Sequence, residues 1–281
     1  MDGRVVEERI FNALMLLATA IVVGSLLAVV GVIVARGAPA LSLSMVIETS
    51  SGGYLLGGSG GVLNAIIGSL CLIAGSISIA VLIGLPVALY LNEFAGSRFT
   101  HFTRLSLDVL YGVPSIVYGA FAFTLMLIMG ARASLLWGIA TVAMLILPIV
   151  VRGIDEVIQT VPSKLRDASF SLGATRLETA FKVITRQVMP GIITAVLLAL
   201  GRGIGDAASV LLTVGYSDII PTSLNNPVAT LPLAIFLELG SPYPHAQERA
   251  YASAIILLAL VMMLSLAARF STARFSKFVV R

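Results

Sequence analysis

Long runs of apolar residues without a charge dominate the chain. A helix needs about 20 such residues to cross a hydrocarbon core of roughly 30 Å. Six stretches have this length, and only the fifth is interrupted, by Arg202 and Asp206. We predict a membrane-spanning helix in each, at about 10–35, 63–91, 109–131, 133–151, 189–214 and 250–268. The chain is therefore predicted to be an all-α polytopic membrane protein, with one transmembrane domain over 1–281.

The first run follows Arg4 and Arg9, as the core of a signal peptide does. It is much longer than such a core, and we interpret it as a retained helix. Pro86 in the second span and Pro114 in the third are candidate bends, either around a pathway or through ordinary packing. Asp108 precedes the third span and is expected near the positive end of that helix.

Composition excludes a soluble enzyme. Of the 281 residues, 58% are hydrophobic and 11% charged, whereas a soluble domain has about 25% charged residues. The single cysteine, Cys71, cannot form an internal disulfide, and with only His101 and His245 it makes a poor metal site. No catalytic residue, metal or other cofactor is expected.

The basic residues give the orientation. If the six spans alternate, 14 of the 18 Lys and Arg residues fall on the side that holds both termini. The positive-inside rule places that side in the cytoplasm, so we predict a multi-pass protein of the inner membrane. The high isoelectric point of about 9.5 then reflects topology and contact with membrane lipid rather than binding of nucleic acid.

The longest cytoplasmic connection, 152–188, is predicted to form two short helices separated by Gly173. Thr175 and Glu178 have the spacing of a capping box that begins the second helix. In that helix an apolar stripe appears at helical spacing, made of Leu177, Ala180, Phe181, Ile184 and Val188. Spacing alone leaves two interpretations open: a helix on the lipid headgroups, or one that inserts into a groove of a cytoplasmic protein.

The same connection resembles the loop of ABC importer permeases, which reads Glu-Ala-Ala, three residues, Gly. Here Asp167-Ala168-Ser169 stands three residues before Gly173, so the acid is shorter and one Ala is Ser. Other segments are similar to PstA-type phosphate permeases: GGVLNAIIGS (60–69), GVPSIVYG (112–119), LPIVVR (147–152), GIIT (191–194) and LLALGRGIGDA (197–207).

This resemblance implies a type I ABC importer permease fold, with six spans and cytoplasmic coupling helices. It implies a second homologous permease, two ATPase subunits, an extracytoplasmic phosphate-binding protein and phosphate as the transported ligand. The chain itself has no lysine in a phosphate-binding loop, so ATP hydrolysis is expected in a partner chain. The residues implied in ATPase coupling are Asp167, Ala168, Ser169, Gly173, Leu177, Phe181 and Ile184.

Arg202 and Asp206 are the candidate residues of the substrate pathway. If the fifth span is one helix, their spacing of four places them on one face, directed away from lipid because a charge there costs roughly 2.5–3.5 kcal/mol. They form either an internal salt bridge or an anion guide in which Asp206 is the resting partner of Arg202. The family motif here reads Gly-Glu-Thr-Ala-Pro, whereas this chain has Gly205-Asp206-Ala207-Ala208-Ser209.

Two alternatives remain, one within the importer class and one outside it. The substrate could be another oxyanion, such as sulfate, molybdate, tungstate or phosphonate. An ion-coupled secondary transporter would need no ATPase and would show internal repeats or several intramembrane carboxylates; we find no clear repeat and one such acid, Asp206. The connection 215–249 contains five prolines and is expected to form an external lid or a docking surface for the binding protein.

Overall fold

The computed structural model describes residues 3–50 and 60–275. The helices of the first half are α1 (Gly3–Gly37), α2 (Leu43–Ile47), α3 (Leu63–Glu93), α4 (Ser97–Gly112), α5 (Ser115–Ile128), α6 (Leu135–Gln159) and α7 (Ser163–Ser171). Those of the second half are α8 (Arg176–Glu178), a π-helical turn (Thr179–Ile184), α9 (Thr185–Gln187), α10 (Met189–Ile204), α11 (Leu231–Leu239) and α12 (Pro244–Phe275).

The predicted all-α, multi-span architecture is confirmed. Four helices, α1, α3, α6 and α12, are each long and apolar enough to cross a membrane. Two bent pairs raise the number to six if each pair makes one crossing: α4 with α5, and the 176–187 segment with α10. We call the two ends of the bundle the α2 end, where α3 begins, and the α7 end, where α3 finishes.

Helix α6 forms the centre of the bundle, with α3 and α10 packed against it. Its buried stripe repeats every four residues, and all members are fully inaccessible: Val142, Ile146, Val150, Ile154 and Ile158. Within a bilayer, burial of this stripe stabilises the bundle through close van der Waals packing, because lipid tails are as apolar as these side chains. Gly84 of α3 shows this closeness, since a Cβ atom there would lie 3.0 Å from the Val150 side chain.

Helix α1 stands apart from this bundle. Its described apolar side chains are exposed along most of its length, and its main contact is with α12. At that contact the Arg36 guanidinium lies 5.4 Å from the centre of the Tyr251 ring and donates a hydrogen bond to the Tyr251 hydroxyl at 3.2 Å. Most of α1 is therefore free to face lipid or a second subunit.

The third predicted span, 109–131, is not one helix. Helix α4 ends at Gly112, α5 begins at Ser115, and their axes meet at 99°. The cause is Pro114, which forces Val113 before it into extended backbone, with ψ at 131°. Pro86 has no such effect and lies inside the continuous helix α3.

The fifth predicted span, 189–214, is also wrong in its second half. Helix α10 ends at Ile204, and the segment 205–230 turns back into the bundle without forming a long helix. Carbonyl groups of this segment accept hydrogen bonds from the N–H groups of Ser134, Leu135 and Leu136 at 2.8–2.9 Å. They thereby satisfy donors that the first turn of α6 would otherwise leave unpaired.

Two further boundaries differ from the prediction. Helix α6 continues to Gln159 rather than ending near 151, so the first two turns of the predicted 152–188 loop are helical. Helix α12 begins at Pro244 rather than near 250, with proline in the first turn where its missing N–H costs nothing. The predicted external connection 215–249 contains the short helix α11 and is packed partly into the protein, with Leu231, Ala234 and Glu238 buried.

Candidate functional site

Arg202 lies deep in the bundle, in the last turn of α10. Its neighbour Gly203 shows its position along the bundle, because a Cβ atom at Gly203 would lie 2.8 Å from Ile73 of α3 and 3.2 Å from Ile146 of α6. Ile146 is near the middle of α6, so Arg202 lies far from both ends of that helix. A guanidinium at this depth is costly unless it faces water or protein.

A cavity of about 540 Å³ opens beside Arg202. It is bounded by the start of α5, the end of α10, the turn that follows α10, and one side chain of α11. The lining residues are Ser115, Ile116, Arg202, Gly205, Asp206, Ala207, Ala208, Leu211 and Phe236. The Arg202 guanidinium is exposed in this chain and lies 5.9 Å from the centre of the Tyr111 ring, a cation–π contact that holds it from one side.

Asp206 lines the same cavity but does not share a helix face with Arg202, because α10 ends two residues before it. Its Oδ1 accepts a hydrogen bond from the Ser209 backbone N–H at 2.9 Å, which stabilises the turn after α10 in the manner of an Asx turn. No ion pair joins Arg202 to Asp206, although both lie within the described residues. Asp206 therefore shapes the cavity wall in this conformation.

The start of α5 adds a second source of positive potential. The corner at Pro114 begins this helix beside the cavity, and Ser115 and Ile116 of its first turn line it. The first N–H groups of a helix have no partner within the helix and carry partial positive charge. The cavity thus combines a guanidinium, a helix N-terminal end and one carboxylate.

The predicted capping box is present in the 163–187 segment. The Thr175 hydroxyl accepts a hydrogen bond from the Glu178 N–H at 3.2 Å, and the Glu178 carboxylate accepts one from the Thr175 N–H at 3.1 Å. The hydrogen bond from the Thr175 backbone N–H, together with one from the Lys182 side-chain ammonium, lowers the pKa of the Glu178 carboxyl to about 2. Before this box, Gly173 ends α7 with φ at +84°, a conformation that favours glycine.

The predicted single apolar stripe of the second helix is wrong, because a π-helical turn interrupts it. The extra residue per turn sends Ala180 and Ile184 into the bundle, where both are fully buried. Leu177 and Phe181 instead remain 61% and 46% exposed. Ile184 therefore anchors the segment to its own chain, while Leu177 and Phe181 are available to a partner.

The exposed side of this segment carries large apolar side chains beside a shallow cavity of about 310 Å³, which Glu178 and Lys182 also line. Its exposed large side chains are Phe170, Leu172, Leu177 and Phe181, of which Leu172 is 89% exposed. Among the residues implied by the resemblance, Asp167, Ala168 and Gly173 are also exposed. Ser169 is buried and shares a hydrogen bond of 2.8 Å with the Thr179 hydroxyl, which ties α7 to the π-helical turn.

A buried carboxylate, Asp155 of α6, could not be recognised from the sequence. It receives hydrogen bonds from Arg104, Arg152, Asn92 and Gln159. In the sequence these arginines indicate only the orientation of the chain in the membrane. The one local sign of a cluster is the i,i+3 spacing of Arg152 and Asp155.

The prediction for Asp108 was wrong for a related reason. This residue lies in the later part of α4 rather than at a helix start. Its carboxylate accepts a hydrogen bond from Arg152 at 2.7 Å, so it joins the same group of charges.

Residues 80–280 match the family described as Binding-protein-dependent transport system inner membrane component. The chain belongs to this permease family. One relative is the phosphate transport system permease protein PstA 1 of Mycobacterium tuberculosis (strain H37Rv), 36% identical over 212 residues, which are 75% of this chain and 69% of the relative. Another is PstA of Pasteurella multocida, 35% identical over 84% of each chain. The predicted PstA-type resemblance is confirmed.

Solved structures confirm the permease fold. A chain of the inward-facing MetNI methionine ABC transporter has a TM-score of 0.61 over 81% of this permease and 97% of that chain, at 19% identity. A chain of the bacterial alginate ABC transporter in complex with its periplasmic protein has a TM-score of 0.66 over 99% of each, at 14% identity. The permease is thus a multi-pass, non-catalytic inner-membrane subunit of a transporter assembly.

Proposed function

We propose that this permease forms half of the path of an ATP-driven importer for inorganic phosphate. The observation that carries the proposal is Arg202, a permanently charged guanidinium that lines a cavity level with the middle of α6. The relatives named above are phosphate permeases, and they supply the particular anion. The geometry of this chain supplies the reason for an anion.

Arg202 suits a tetrahedral oxyanion because a guanidinium presents a planar fork of donors and keeps its charge at any physiological pH. The first turn of α5 adds backbone donors on the same cavity. A path must also release its ion, so binding has to remain weak. Asp206 lines the same cavity, and its negative charge reduces the attraction and favours passage over capture.

A second homologous permease completes this path. The cavity is open in the isolated chain, and none of the residues that the structure describes covers the exposed side of Arg202. Helix α1, exposed along its length, offers further apolar surface for the same subunit or for lipid.

The 163–187 segment docks on one of two ATPase subunits, which hydrolyse ATP for the complex. Its exposed face combines Phe170, Leu172, Leu177 and Phe181 with the flexible-backbone position Gly173. The excess of Lys and Arg on the side of both termini supports a cytoplasmic location for this segment. The α2 end then faces an extracytoplasmic phosphate-binding protein.

Reconstitution in proteoliposomes tests the function. The complex of both permeases, the ATPase subunits and the binding protein is expected to take up labelled phosphate when ATP reaches the ATPase, and vanadate is expected to stop it. Excess sulfate, molybdate, tungstate or phosphonate should compete poorly. Strong competition by one of them would reassign the substrate, and phosphate uptake without the ATPase would identify a secondary transporter.

A matched pair of variants tests the docking face. Leu172→Asp places a charge on the exposed apolar face and is expected to abolish binding of the ATPase, because an unpaired charge at an apolar interface is costly. Ser97→Asp adds the same charge at the same end of the bundle, in the first turn of α4, where an acid is favourable. Equal retention of the ATPase by both variants would remove the docking role from this face.

A further inference from the structure

Helix α4 connects two features of the permease that lie apart in the bundle. Its first half carries Arg104, which is bound to the charged cluster at the α7 end. Its last turn carries Tyr111, which lies against Arg202 in the cavity. Seven residues separate Arg104 from Tyr111, a distance of about 10 Å along a helix.

The charged cluster fixes the first half of α4 firmly. Asp155 is fully buried, and Arg104 reaches it with two hydrogen bonds of 2.9 and 2.7 Å. Asn92 of α3 donates to the same carboxylate at 2.7 Å, and Arg152 of α6 at 2.9 Å. Three helices therefore meet on one carboxylate, and α4 cannot move at this point without moving them or breaking these bonds.

The same cluster continues to the 163–187 segment. Arg166 of α7 donates to the Glu93 carboxylate at 3.0 Å and to the Val161 carbonyl at 2.8 Å. Glu93 is the last residue of α3 and follows Asn92 directly, so a displacement of α7 acts on the end of α3 beside Asp155. The Glu93 side chain is only 7% exposed, and a pair this sheltered from water is weakly screened.

The far end of α4 leads into the cavity. After Gly112 the chain turns at Pro114, and the next two residues, Ser115 and Ile116, line the cavity together with Arg202. A helix transmits an axial displacement because its hydrogen-bonded backbone is stiff. Movement of α4 therefore changes both the support under Arg202 and the position of the first turn of α5.

We infer that α4 is a lever that couples the 163–187 segment to Arg202, with Asp155 and Tyr111 as positioning residues at its two ends. The inference rests on the proposed function, because a push from an ATPase is what the lever would transmit. In this arrangement ATP-driven displacement of α7 passes through Arg166 and Glu93 to the Asp155 cluster, along α4, and into the cavity wall.

A purely structural role is the competing interpretation. Buried ion pairs are often no more stabilising than apolar residues of similar size, and their loss then lowers assembly without changing how the assembled complex responds to ATP. The two roles differ in one measurable quantity: the response of the cavity wall to the state of the ATPase.

The test uses the whole complex, with Ile116→Cys in a Cys71→Ser background, and measures the rate at which a water-soluble thiol reagent labels position 116. In the parent complex we expect the rate to differ between the resting state and the vanadate-trapped state by roughly 5- to 150-fold, the usual range for coupling between sites. Adding Asp155→Asn is expected to abolish this difference while ATP hydrolysis continues. The amount of phosphate transported per ATP hydrolysed should fall in the same variant.

Two further variants separate the outcomes. Glu156→Gln changes a mostly exposed carboxylate next to the cluster and is expected to keep the difference. Arg104→Lys keeps both charges but not the two-point hydrogen bonding, and it carries the same comparison if Asp155→Asn does not assemble. An unchanged difference in both Asp155→Asn and Arg104→Lys would overturn the lever. A parent complex that fails to import phosphate would instead contradict the proposed function.

Discussion

The tightest contact beside the cavity is between Gly119 of α5 and Ser209 of the turn after α10. A Cβ atom at Gly119 would lie 2.5 Å from the Ser209 carbonyl oxygen and 3.1 Å from its carbonyl carbon. Ordinary contact begins near 3.4 Å, so Gly119→Ala requires the two backbones to separate by about 0.9 Å. Neither can yield easily, because one is a helix and the other is the turn that Asp206 stabilises.

The expected cost follows from this distance. Forcing an extra carbon into a packed site costs about 1–3 kcal/mol, whereas replacing glycine by alanine inside a helix returns about 0.5–1 kcal/mol. The cost of the clash exceeds the gain in helix stability, because the opposing atoms belong to the backbone and cannot rotate away. A net loss of about 1–2 kcal/mol lowers the apparent melting temperature by roughly 2–8 °C in a chain near this size. Phosphate uptake is expected to fall as well, since the displaced turn carries Asp206.

The assay compares Gly119→Ala with Gly96→Ala in the same detergent-purified and reconstituted complexes. Gly96 has no heavy atom within 4 Å of an added Cβ, so its variant is expected to change stability by less than about 0.5 kcal/mol. If both variants melt at the same temperature and import at the same rate, the close approach of α5 to the 205–230 segment does not exist in the working protein.

Three other perturbations have defined outcomes. Gly173→Ala forces a left-handed backbone on alanine, at about 1–2 kcal/mol, and is expected to reduce ATP-driven uptake, with a smaller loss in Gly173→Asn. Because the pKa of Glu178 is lowered from 4.5 to about 2, its contribution to stability is present above about pH 4.5 and disappears as the pH falls toward 2. The melting-temperature difference between the parent and Glu178→Gln should therefore be constant above pH 4.5 and shrink progressively as the pH falls toward 2. Tyr251→Leu removes the ring under Arg36, worth about 0.5–1 kcal/mol, and is expected to lower the melting temperature by a few degrees.

The location of the four long helices, α1, α3, α6 and α12, could be predicted because it depends on the absence of charge over a length set by the bilayer. The breaks within the third and fifth spans could not be predicted. Pro86 and Pro114 look alike in the sequence, yet close packing of Gly84 against Val150 keeps α3 continuous, whereas α4 and α5 meet at a corner. Only the three-dimensional neighbours decide which proline bends its helix.

The end of α10 is a similar case. The run after Asp206 is apolar and was predicted to continue the helix to 214. In the structure the Thr213 carbonyl of this run instead accepts a hydrogen bond from the Ser134 N–H at the start of α6, a compensation between segments that are distant in sequence. Gly205 followed by Asp206 was the local signal for a stop, since glycine ends helices and aspartate favours turns.

The two parts of the candidate site differ in how far they could be predicted. The capping box and Gly173 depend on local chemistry, and both are present as predicted. The π-helical turn changes which side chains face outward, and no residue in 179–184 indicates from the sequence that such a turn forms. The Asp155 cluster draws its partners from α3, α4 and α6, so its members become visible as a group only when these helices are packed together.

The role of Arg202 is tested most directly by comparing Arg202→Gln with Arg202→Lys in the reconstituted complex, with phosphate uptake and ATP hydrolysis measured together. We expect Arg202→Gln to lose uptake while the complex assembles and still hydrolyses ATP, and Arg202→Lys to retain part of it, because a positive charge remains without the planar fork. Normal uptake in Arg202→Gln would contradict the assignment of this guanidinium to the anion path.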